Sequence, residues 1–484
     1  MRNLALSVLF LLFFSVQLFS QQRTTTWEKV YELGGGAFFS VKTDFEGNYL
    51  VAGRSDTFDY SGTVVARSMT MKVDPSGSII WATNFNEGFF SQANSLTLAD
   101  NAGNCVISGY SYFGGDYGGM FMMKYDASSQ MAWAQNYGYP NQEMCGGSIA
   151  TTTDGGFIVA GNKDSILYVM KTGPSADSLW MRTFPDIKPL TGGFGGVGLC
   201  FMGNIRQTTD NGYIICFSSL PLPEMCVMKL NSQGNMLWKK TYNTGAYSMG
   251  NYIVETADGN YVACGIQAVT VGAGDQDAKV VKIDPQGNII WEKEYDKFGF
   301  FDGFNAVVMD GNGDFIAAGN TQNDYTGNIN FAYVVKFNNL GDTLWTTTDG
   351  EGTIFTQECI YGLDLATDGG TILCGSRGSK LFMARIDANG QGFVGINNIH
   401  HEQPNDFTIS VTDREIAIDV DPSIINPSDN IRINILDMIG RSCNTTWTEH
   451  NGKIIVNINN LNQGIYLVEI QNKNIRKTVK FVKQ

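Results

Sequence analysis

Histidine is the side chain that most often serves as an acid–base catalyst near neutral pH, and this chain of 484 residues contains only three of them. They are His400, His401 and His450, and all three follow the repeated part of the chain, residues 24–398. A Ser-His-Asp site, a Cys-His site and a histidine-based metal site are therefore excluded from that segment. The residue types predict that the repeated segment is not an enzyme.

Carboxylates are the remaining candidates for catalysis or metal binding. Paired carboxylates could hydrolyse glycosides, but sequence spacing alone does not identify such a pair. The stretch DGNGD (Asp310–Asp314) imitates the start of a calcium loop, yet it falls on a repeated hairpin turn and lacks the distal glutamate. The stretch GAGDQD at 272–277 is a better oxygen-rich candidate, but it is also incomplete. We predict no metal site and no cofactor.

Aromatic residues mark a set of long connections between predicted strands. These segments are 54–68, 110–119, 184–203, 266–277, 296–303 and 320–331. With antiparallel strands they all emerge on one face, here named the long-loop face, whereas the other face carries tight turns. Aromatic side chains on loops over a rigid scaffold favour ligand recognition, and the alternative is that they cap the core. The candidate binding residues are Phe58, Tyr60, Tyr112, Phe113, Tyr117, Phe300, Phe301 and Tyr325.

A repeated phrase predicts the elements that position these side chains. VKIDPQGNIIWEKEYD (281–296) has counterparts in MKVDPSGSIIWATNF (71–85) and MKLNSQGNMLWKKTY (228–242). The tryptophans of the repeats are separated by 52, 47, 58, 53 and 54 residues. Each repeat reads as four short strands separated by glycine-containing turns, and helical periodicity is absent. A period near fifty with four strands is typical of β-propeller blades.

Each recurring member of the phrase has a predicted structural role. The aspartate, as at Asp74, Asp126, Asp284 and Asp387, bonds the backbone of a tight turn in which glycine supplies the positive φ. The tryptophan fills the wedge between neighbouring blades. The lysine packs its stem along the sheet and keeps its charge at the surface. These basic residues are Lys72, Lys124, Lys171, Lys229, Lys282, Lys336 and, in the seventh repeat, Arg385.

The two ends of the repeated segment complement each other. The seventh repeat has Val394 where the tryptophan is expected, whereas WEKVY at 27–31 matches WEKEY at 291–295. We therefore predict an all-β fold in which residues 24–398 form a seven-bladed β-propeller closed by the N-terminal strand. Such closure removes sheet edges that would otherwise invite aggregation. An eight-bladed ring or an irregular solenoid is the alternative.

The composition fits a folded, exported β protein. The balance of 33 basic and 47 acidic residues gives a net charge of −14 at pH 7. No basic stripe is available to neutralise phosphates, so nucleic-acid binding is excluded. Cys216, Cys264 and Cys374 share one repeat position that suits a small buried side chain, so we expect free thiols there. A bridge between Cys216 and Cys226 across a hairpin stays open.

The first twenty residues predict export. Arg2 precedes an apolar run at 4–19 and a polar exit, which is the pattern of a secretory signal peptide at 1–20. The run is shorter than the ~20 residues that span a bilayer, and no later segment approaches that length. We therefore expect no transmembrane span after signal removal.

The C-terminal residues differ from the repeats. After a linker at 399–406, residues 407–484 alternate as short strands and include ILDMIGR (435–441), LNQGIYLVEI (461–470) and KTVKFVK (477–483). This order resembles the type A C-terminal sorting domain of the type IX secretion system, a small β-sandwich. The resemblance implies recognition by the translocon and a sortase, and the alternative is an Ig-like adhesion module. The matching residues are Asp437, Gly440, Arg441, Gly464, Tyr466, Lys477 and Lys480.

The repeats themselves, such as DGGFIVAG (154–161) with VVKID (280–284), resemble those of propeller-like ectodomains of exported Bacteroidota proteins. That resemblance covers roughly 24–398 and implies a fold, not a reaction. We predict a secreted or outer cell-surface protein that binds an unknown glycan or protein. The alternative is a secreted carbohydrate-active hydrolase or lyase that uses carboxylates of the long-loop face.

Overall fold

The computed structural model describes residues 26–483 apart from 59–63, 86–89, 115–116, 139–142, 193–199, 202, 243–246, 269–275, 323–329, 350–357, 393–406, 412–414, 421–431, 438–441, 444, 451–452, 463 and 472–475. The regular structure of these residues is β-strand throughout. The chain divides into two compact units, Met1–Asn397 and Asn398–Gln484. A search of the described residues finds no helix with the length and apolar character that crossing a membrane requires. The predicted signal peptide and the linker at 399–406 lie outside the described residues.

The strands of the first unit follow the sequence repeats in antiparallel sets of four. The last, first and second sets are joined into one eleven-stranded sheet by the first strand and by a parallel bridge between Ala66 and Phe90. The first set contains β1 (Trp27–Thr43), β2 (Tyr49–Phe58), β3 (Val64–Val73) and β4 (Ile79–Phe85). The second contains β5 (Phe90–Leu98), β6 (Cys105–Gly114), β7 (Tyr117–Tyr125) and β8 (Met131–Tyr137). The third contains β9 (Met144–Thr151), β10 (Phe157–Lys163), β11 (Ile166–Thr172) and β12 (Ser178–Phe184).

A short pair, β13 (Thr191–Gly192) and β14 (Cys200–Phe201), precedes the fourth set. The fourth set contains β15 (Gly203–Gln207), β16 (Tyr213–Ser219), β17 (Glu224–Leu230) and β18 (Met236–Thr241). The fifth contains β19 (Tyr247–Glu255), β20 (Tyr261–Ala268), β21 (Gln276–Ile283) and β22 (Ile289–Tyr295). The sixth contains β23 (Asp302–Met309), β24 (Phe315–Gln322), β25 (Asn330–Phe337) and β26 (Thr343–Asp349). The last contains β27 (Glu358–Leu365), β28 (Thr371–Arg377) and β29 (Lys380–Ile386).

The first strand belongs to two sets. Its first residues, Trp27–Tyr31, pair with Leu381–Arg385 of β29 and supply the fourth strand of the last set. Its later residues, Gly35–Thr43, pair with β2. A single strand therefore connects the first and the last repeat.

Burial follows the position of a strand within its set. Every side chain of β20, with the sequence YVACGIQA, is buried. The outer strand β22, with the sequence IIWEKEY, is mostly exposed and keeps its tryptophan partly buried. Inner strands are covered on both faces, which explains their apolar runs in place of simple alternation.

The recurring basic residue is buried in five of the seven repeats and partly buried at Lys124 and Lys336, which corrects the expectation that its charge lies at the surface. Lys229 of β17 is 3% exposed, and its ammonium lies 2.8 Å from Asp210 in the turn between β15 and β16. A buried charge requires such a partner. The same pair recurs in every set and ties the third strand to the first turn. The pairs are Lys72–Asp44, Lys124–Asp100, Lys171–Asp154, Lys229–Asp210, Lys282–Asp258, Lys336–Asp310 and Arg385–Asp368.

The aspartate, glycine and tryptophan of the phrase have the predicted roles. Asp284 accepts the backbone N–H of Asn288 at 2.8 Å, and Gly287 has a φ of +77°. Trp238 of the preceding set donates its indole N–H to the Pro285 carbonyl at 3.1 Å. A Cβ at Gly287 would stand 3.0 Å from that indole ring. The same indole-to-carbonyl bonds join Trp27 to Pro75, Trp81 to Ala127, Trp291 to Asn339 and Trp345 to Ala388.

Side chains at β-bulges join the first strands of neighbouring sets. Strands β5, β19 and β23 each carry an asparagine at the bulge. A bulge redirects its extra side chain, and here the amide reaches a carbonyl on the next first strand. The bonds run from Asn94 to Gly146, from Asn251 to Phe304 and from Asn305 to Ile360, at 2.7, 2.9 and 2.8 Å.

Two segments that the sequence predicts to be long irregular loops contain paired strands in their described residues. Strands β2 and β3 pair out to Phe58 and Val64, and strands β6 and β7 pair out to Gly114 and Tyr117. Aromatic and β-branched residues favour extended strands, so the described residues of 54–68 and 110–119 lengthen their sheets. By contrast, residues 296–301 connect β22 to β23 without forming a strand of their own.

The cysteines are free at the shared repeat position. Cys216, Cys264 and Cys374 are buried thiols. Cys216 faces Val227 in the β16–β17 ladder, and Cys226 is also free, so the open bridge between them is not formed. Cys145 of β9 is disulfide-bonded, which the sequence reading did not anticipate.

The second unit consists of two four-stranded sheets. One contains β30 (Phe407–Val411), β31 (Glu415–Val420), β34 (Thr446–His450) and β35 (Lys453–Asn457). The other contains β32 (Arg432–Asp437), β33 (Ser442–Cys443), β36 (Gly464–Gln471) and β37 (Arg476–Lys483). Ile416 and Val456 of the first sheet share a core with Ile435 and Val468 of the second.

Candidate functional site

The structure places the predicted aromatic residues in separate neighbourhoods. Tyr112, Phe300 and Phe301 are described in full, and each is partly buried. Strands β2, β6 and β7 contain Phe58, Phe113 and Tyr117, whose side chains are not described. Tyr60 and Tyr325 lie outside the described residues.

Tyr112 belongs to a small aromatic cluster at the end of the β5–β6 hairpin. It faces Phe90 across the ladder. Its ring packs against a cluster that contains Phe90, Tyr110 and the disulfide-bonded Cys145. This contact favours the alternative that Tyr112 covers the core, while its remaining exposed surface could still touch a ligand.

Phe300 and Phe301 lie on a connection whose backbone is held on both sides. The Phe300 carbonyl accepts the N–H of Gln276 at 3.0 Å, and the Phe301 carbonyl accepts the N–H of Gln322 at 2.8 Å. These bonds fix residues 296–301 between the start of β21 and the end of β24. The rings of this segment are therefore presented on a defined backbone.

The same segment carries a further aromatic residue that sequence reasoning missed. Phe298 is 40% exposed, and its ring centroid lies 6.1 Å from that of Phe331. The Lys297 ammonium stands 5.8 Å from the Phe298 centroid. The density of phenylalanines in DKFGFFDG (296–303) was the available signal.

Three aspartates converge beside this aromatic segment. One carboxylate oxygen from each of Asp277, Asp296 and Asp302 lies within 4.8 Å of the other two. Asp277 ends the oxygen-rich stretch 272–277, whereas the other two flank the connection between β22 and β23. Separate repeats thus bring together carboxylates that are 25 positions apart in the sequence, from Asp277 to Asp302.

The three aspartates differ in their surroundings. Asp302 has no exposed surface, Asp277 is partly buried and Asp296 is exposed. Burial, and then the nearby Asp296 and Asp277, raise the pKa of Asp302 to about 6 against opposing hydrogen bonds. One of those bonds comes from the N–H of Lys297 at 3.0 Å. The cluster therefore concentrates negative charge in a partly dry site.

The calcium-like stretch at 310–314 has a different role. Asp310 forms an ion pair with Lys336 at 2.7 Å and accepts the backbone N–H of Asp314 at 3.0 Å. It therefore serves as the recurring lysine partner of its repeat. These contacts account for the DGNGD pattern without a cation.

A pocket of about 700 Å³ lies between the second and third sets. Its wall combines Met144, Met170 and Met181 with Lys163 and Asp177. None of the candidate binding residues of the sequence analysis lines it. The pocket is therefore distinct from the aromatic segment.

The sorting residues of the second unit fall on paired strands. Asp437 ends β32 and pairs with Tyr466 of β36, whose hydroxyl donates to the Asn462 carbonyl at 3.0 Å. Gly464 begins β36, while Lys477 and Lys480 lie on the neighbouring β37. Gly440 and Arg441 lie outside the described residues.

Comparisons with solved structures give distant likenesses. A protein of unknown function from Dyadobacter fermentans is 12% identical with a TM-score of 0.41, and the match covers 74% of this chain and 97% of that one. A Lactobacillus plantarum protein is 13% identical with a TM-score of 0.40, over 67% and 87% of the two chains. No curated protein matches the sequence.

The C-terminal unit has a clear family match. Residues 398–484 match the model of the secretion system C-terminal sorting domain. This match agrees with the resemblance seen in ILDMIGR and LNQGIYLVEI, and it implies contact with the type IX secretion machinery. The chain carries a type IX sorting tail, which indicates a secreted or cell-surface protein of the Bacteroidota type.

Proposed function

We propose that this exported protein binds an extracellular glycan or protein through its long-loop face and catalyses no reaction. The observation that carries the proposal is the segment 296–301, in which partly exposed phenylalanine rings stand on a backbone held from both sides. A preorganised aromatic surface loses little conformational entropy on binding. The recurring polar residues of the blades, in contrast, are engaged in turns and ion pairs.

We also propose that the first unit is a seven-bladed propeller closed by β1. The pairing of Trp27–Tyr31 with β29 supports closure, because it makes the chain start part of the last set. The bulge residues Phe39 and Tyr361, on the first strands of the first and last sets, have ring centroids 5.4 Å apart. Contacts between neighbouring first strands therefore continue across the junction.

The indole bonds support the same ring. Trp345 of the sixth set bonds the Ala388 carbonyl of the last set. Trp27, which stands in the fourth strand of the last set, bonds the Pro75 carbonyl of the first set. The tryptophan that is absent at Val394 is thus supplied by the chain start, and the series of bonds has no break at this point.

A carbohydrate-active hydrolase or lyase is the second candidate. The pKa of Asp302, raised to about 6, and the second carboxyl group of Asp296 beside it form an arrangement that favours acid–base chemistry. However, Asp302 has no exposed surface, so there is no room for a sugar ring against its carboxyl group. This burial supports binding over catalysis.

A glycan array and a panel of chromogenic glycosides distinguish the two candidates. We expect the mature chain (residues 21–484) to bind without turnover. Phe298→Ala and Phe300→Ala should weaken binding by at least about tenfold, as for aromatic anchors of an interface. Phe45→Ala is the matched control, because Phe45 is 65% exposed but lies on a tight turn between β1 and β2.

Turnover that Asp296→Asn abolishes would establish the hydrolase or lyase and reject the binding proposal.

Export is tested separately. Deletion of 407–484 should retain the protein in the periplasm, since the tail is the signal for outer-membrane passage. Appearance of the truncated chain in the medium would contradict the role of the tail.

A further inference from the structure

We propose that Asp277, Asp296 and Asp302 form a calcium site that joins the fifth and sixth repeats. This proposal is independent of the ligand-binding proposal above. It revises the prediction from the sequence, in which no stretch contained a complete metal-binding motif. The donors come from β21, from the connection after β22 and from β23, so no single stretch of sequence contains them.

The spacing of the carboxylates fits a bound cation. Their oxygens lie within 4.8 Å of one another. Oxygens on opposite sides of a calcium ion, each about 2.4 Å from it, are separated by about 4.8 Å. Three carboxylates at this distance repel one another, and a divalent cation would neutralise most of their charge.

Two fully buried oxygens point to a missing ligand. Asp302 and Thr321 both have 0% exposure. Asp302 Oδ1 and Thr321 Oγ1 have no hydrogen-bond partner of good geometry among the described residues. The Thr321 hydroxyl lies directly across the β23–β24 ladder from Asp302 and makes at most a weak hydrogen bond to that carboxyl group. Buried polar atoms without well-formed hydrogen bonds are costly, and coordination of a cation would satisfy both.

The backbone around the cluster is already arranged to hold it. The N–H of Lys297 donates to Asp302 Oδ2 at 3.0 Å, and the N–H of Gly299 donates to Asp296 Oδ1 at 2.6 Å. These bonds leave the second oxygen of each carboxylate available. The Phe300 and Phe301 carbonyls bond Gln276 and Gln322, which keeps the flanking strands together.

Calcium is the cation that this set of ligands fits best. All the donors are oxygens, and carboxylates with a hydroxyl are typical ligands of hard cations. Calcium accepts six to eight oxygens in irregular geometry, whereas magnesium demands a compact octahedron. An exported protein also meets calcium at concentrations that suit extracellular sites, whose Kd values are about 10⁻⁴–10⁻³ M.

Isothermal titration of the chelator-treated mature chain (residues 21–484) with CaCl₂ tests the proposal. We expect one saturable site and a Tm that rises by about 2 °C or more at saturating calcium. Magnesium should bind at least about tenfold more weakly. Absence of both binding heat and a Tm shift would overturn the proposal, and equal binding of magnesium would overturn the assignment to calcium.

Asp296→Asn is the decisive variant, because Asp296 is exposed and its substitution leaves the core intact. It should weaken calcium binding at least about tenfold while keeping the cooperative unfolding of the calcium-free protein. Asp186→Asn makes the same change of charge at an exposed aspartate after β12 and should bind calcium like the parent. Unchanged binding by Asp296→Asn, or equal loss in both variants, would contradict the site.

Discussion

In four of the seven repeats, the ion pair joins a buried cation to a better solvated anion. In the fourth set, the Lys229 side chain is 3% exposed and the Asp210 side chain is 58% exposed. Lys229 also donates to the Thr208 hydroxyl at 2.8 Å. Removal of the aspartate leaves a buried ammonium without its counter-charge, whereas removal of the lysine leaves a carboxylate that water can reach.

The two halves of this pair should therefore respond differently to substitution. We expect Asp210→Asn to lower the free energy of unfolding by about 1–2 kcal/mol, less than when a fully buried pair loses one partner, because water screens a carboxylate that is 58% exposed. Lys229→Met, which keeps the length of the stem, should cost less than about 1 kcal/mol. Urea unfolding of the purified chain measures both values. Equal costs, or a larger cost for Lys229→Met, would contradict the asymmetry.

The same aspartates predict loss of stability in acid. The Thr256 hydroxyl and, after the opposing effect of burial, Lys282 lower the pKa of Asp258 from 3.8 to about 2. A carboxyl whose folded pKa is depressed stabilises the protein above its unfolded pKa and loses that contribution as pH falls through the folded value. We therefore expect Tm to fall between about pH 4 and pH 2. Asp258→Asn should show a smaller fall over that window in a series of thermal scans.

At the scale of the element, the turn glycines have two separable requirements. Gly234 and Gly259 both have a positive φ, +79° and +78°. A Cβ at Gly234 would stand 2.6 Å from the Trp180 ring of the preceding set, whereas a Cβ at Gly259 would meet nothing within 4 Å. Backbone strain is thus common to both positions, and the contact with tryptophan belongs to Gly234 alone.

Alanine substitution separates these requirements. Gly259→Ala should cost about 1–2 kcal/mol, the strain of the left-handed conformation. Gly234→Ala should cost a further 1–3 kcal/mol or so, because the methyl group overpacks the indole. Chemical unfolding of the two variants under the same conditions provides the comparison. Equal costs would mean that the indole moves aside freely and does not lock neighbouring sets together.

For the whole molecule, the pairing of β1 with both β2 and β29 should stabilise the first unit by joining its first and last sets. Removal of 26–34 leaves β29 paired with β28 alone and opens a sheet edge, so we expect a marked fall in Tm and concentration-dependent association. Deletion of 407–484 is the matched control, because those residues belong to the second unit. Thermal scans and size-exclusion chromatography report both effects. A chain without 26–34 that stays monomeric and equally stable would contradict the closure.

Local patterns predicted much of this molecule. Three features depend only on neighbours within a few residues or on comparison of repeats. They are the turn aspartates and glycines, the strand order within a repeat and the match of WEKVY to WEKEY. They were therefore readable from the sequence. The sequence predicts the long connections less well, because the strand tendency of 54–68 and 110–119 competes with the glycines that suggest irregular loops.

The β-strand repeats, the sorting tail and the lack of histidine chemistry in the repeated segment could be predicted because they depend on residue type and spacing. Where the charges meet could not, because it depends on how the strands pack. The burial of Lys229 against Asp210, and the convergence of Asp277 and Asp296 on Asp302, join residues from different strands. A one-dimensional pattern records spacing along the chain, whereas an ion pair or a metal site depends on distance in space, which the packing of neighbouring sets creates.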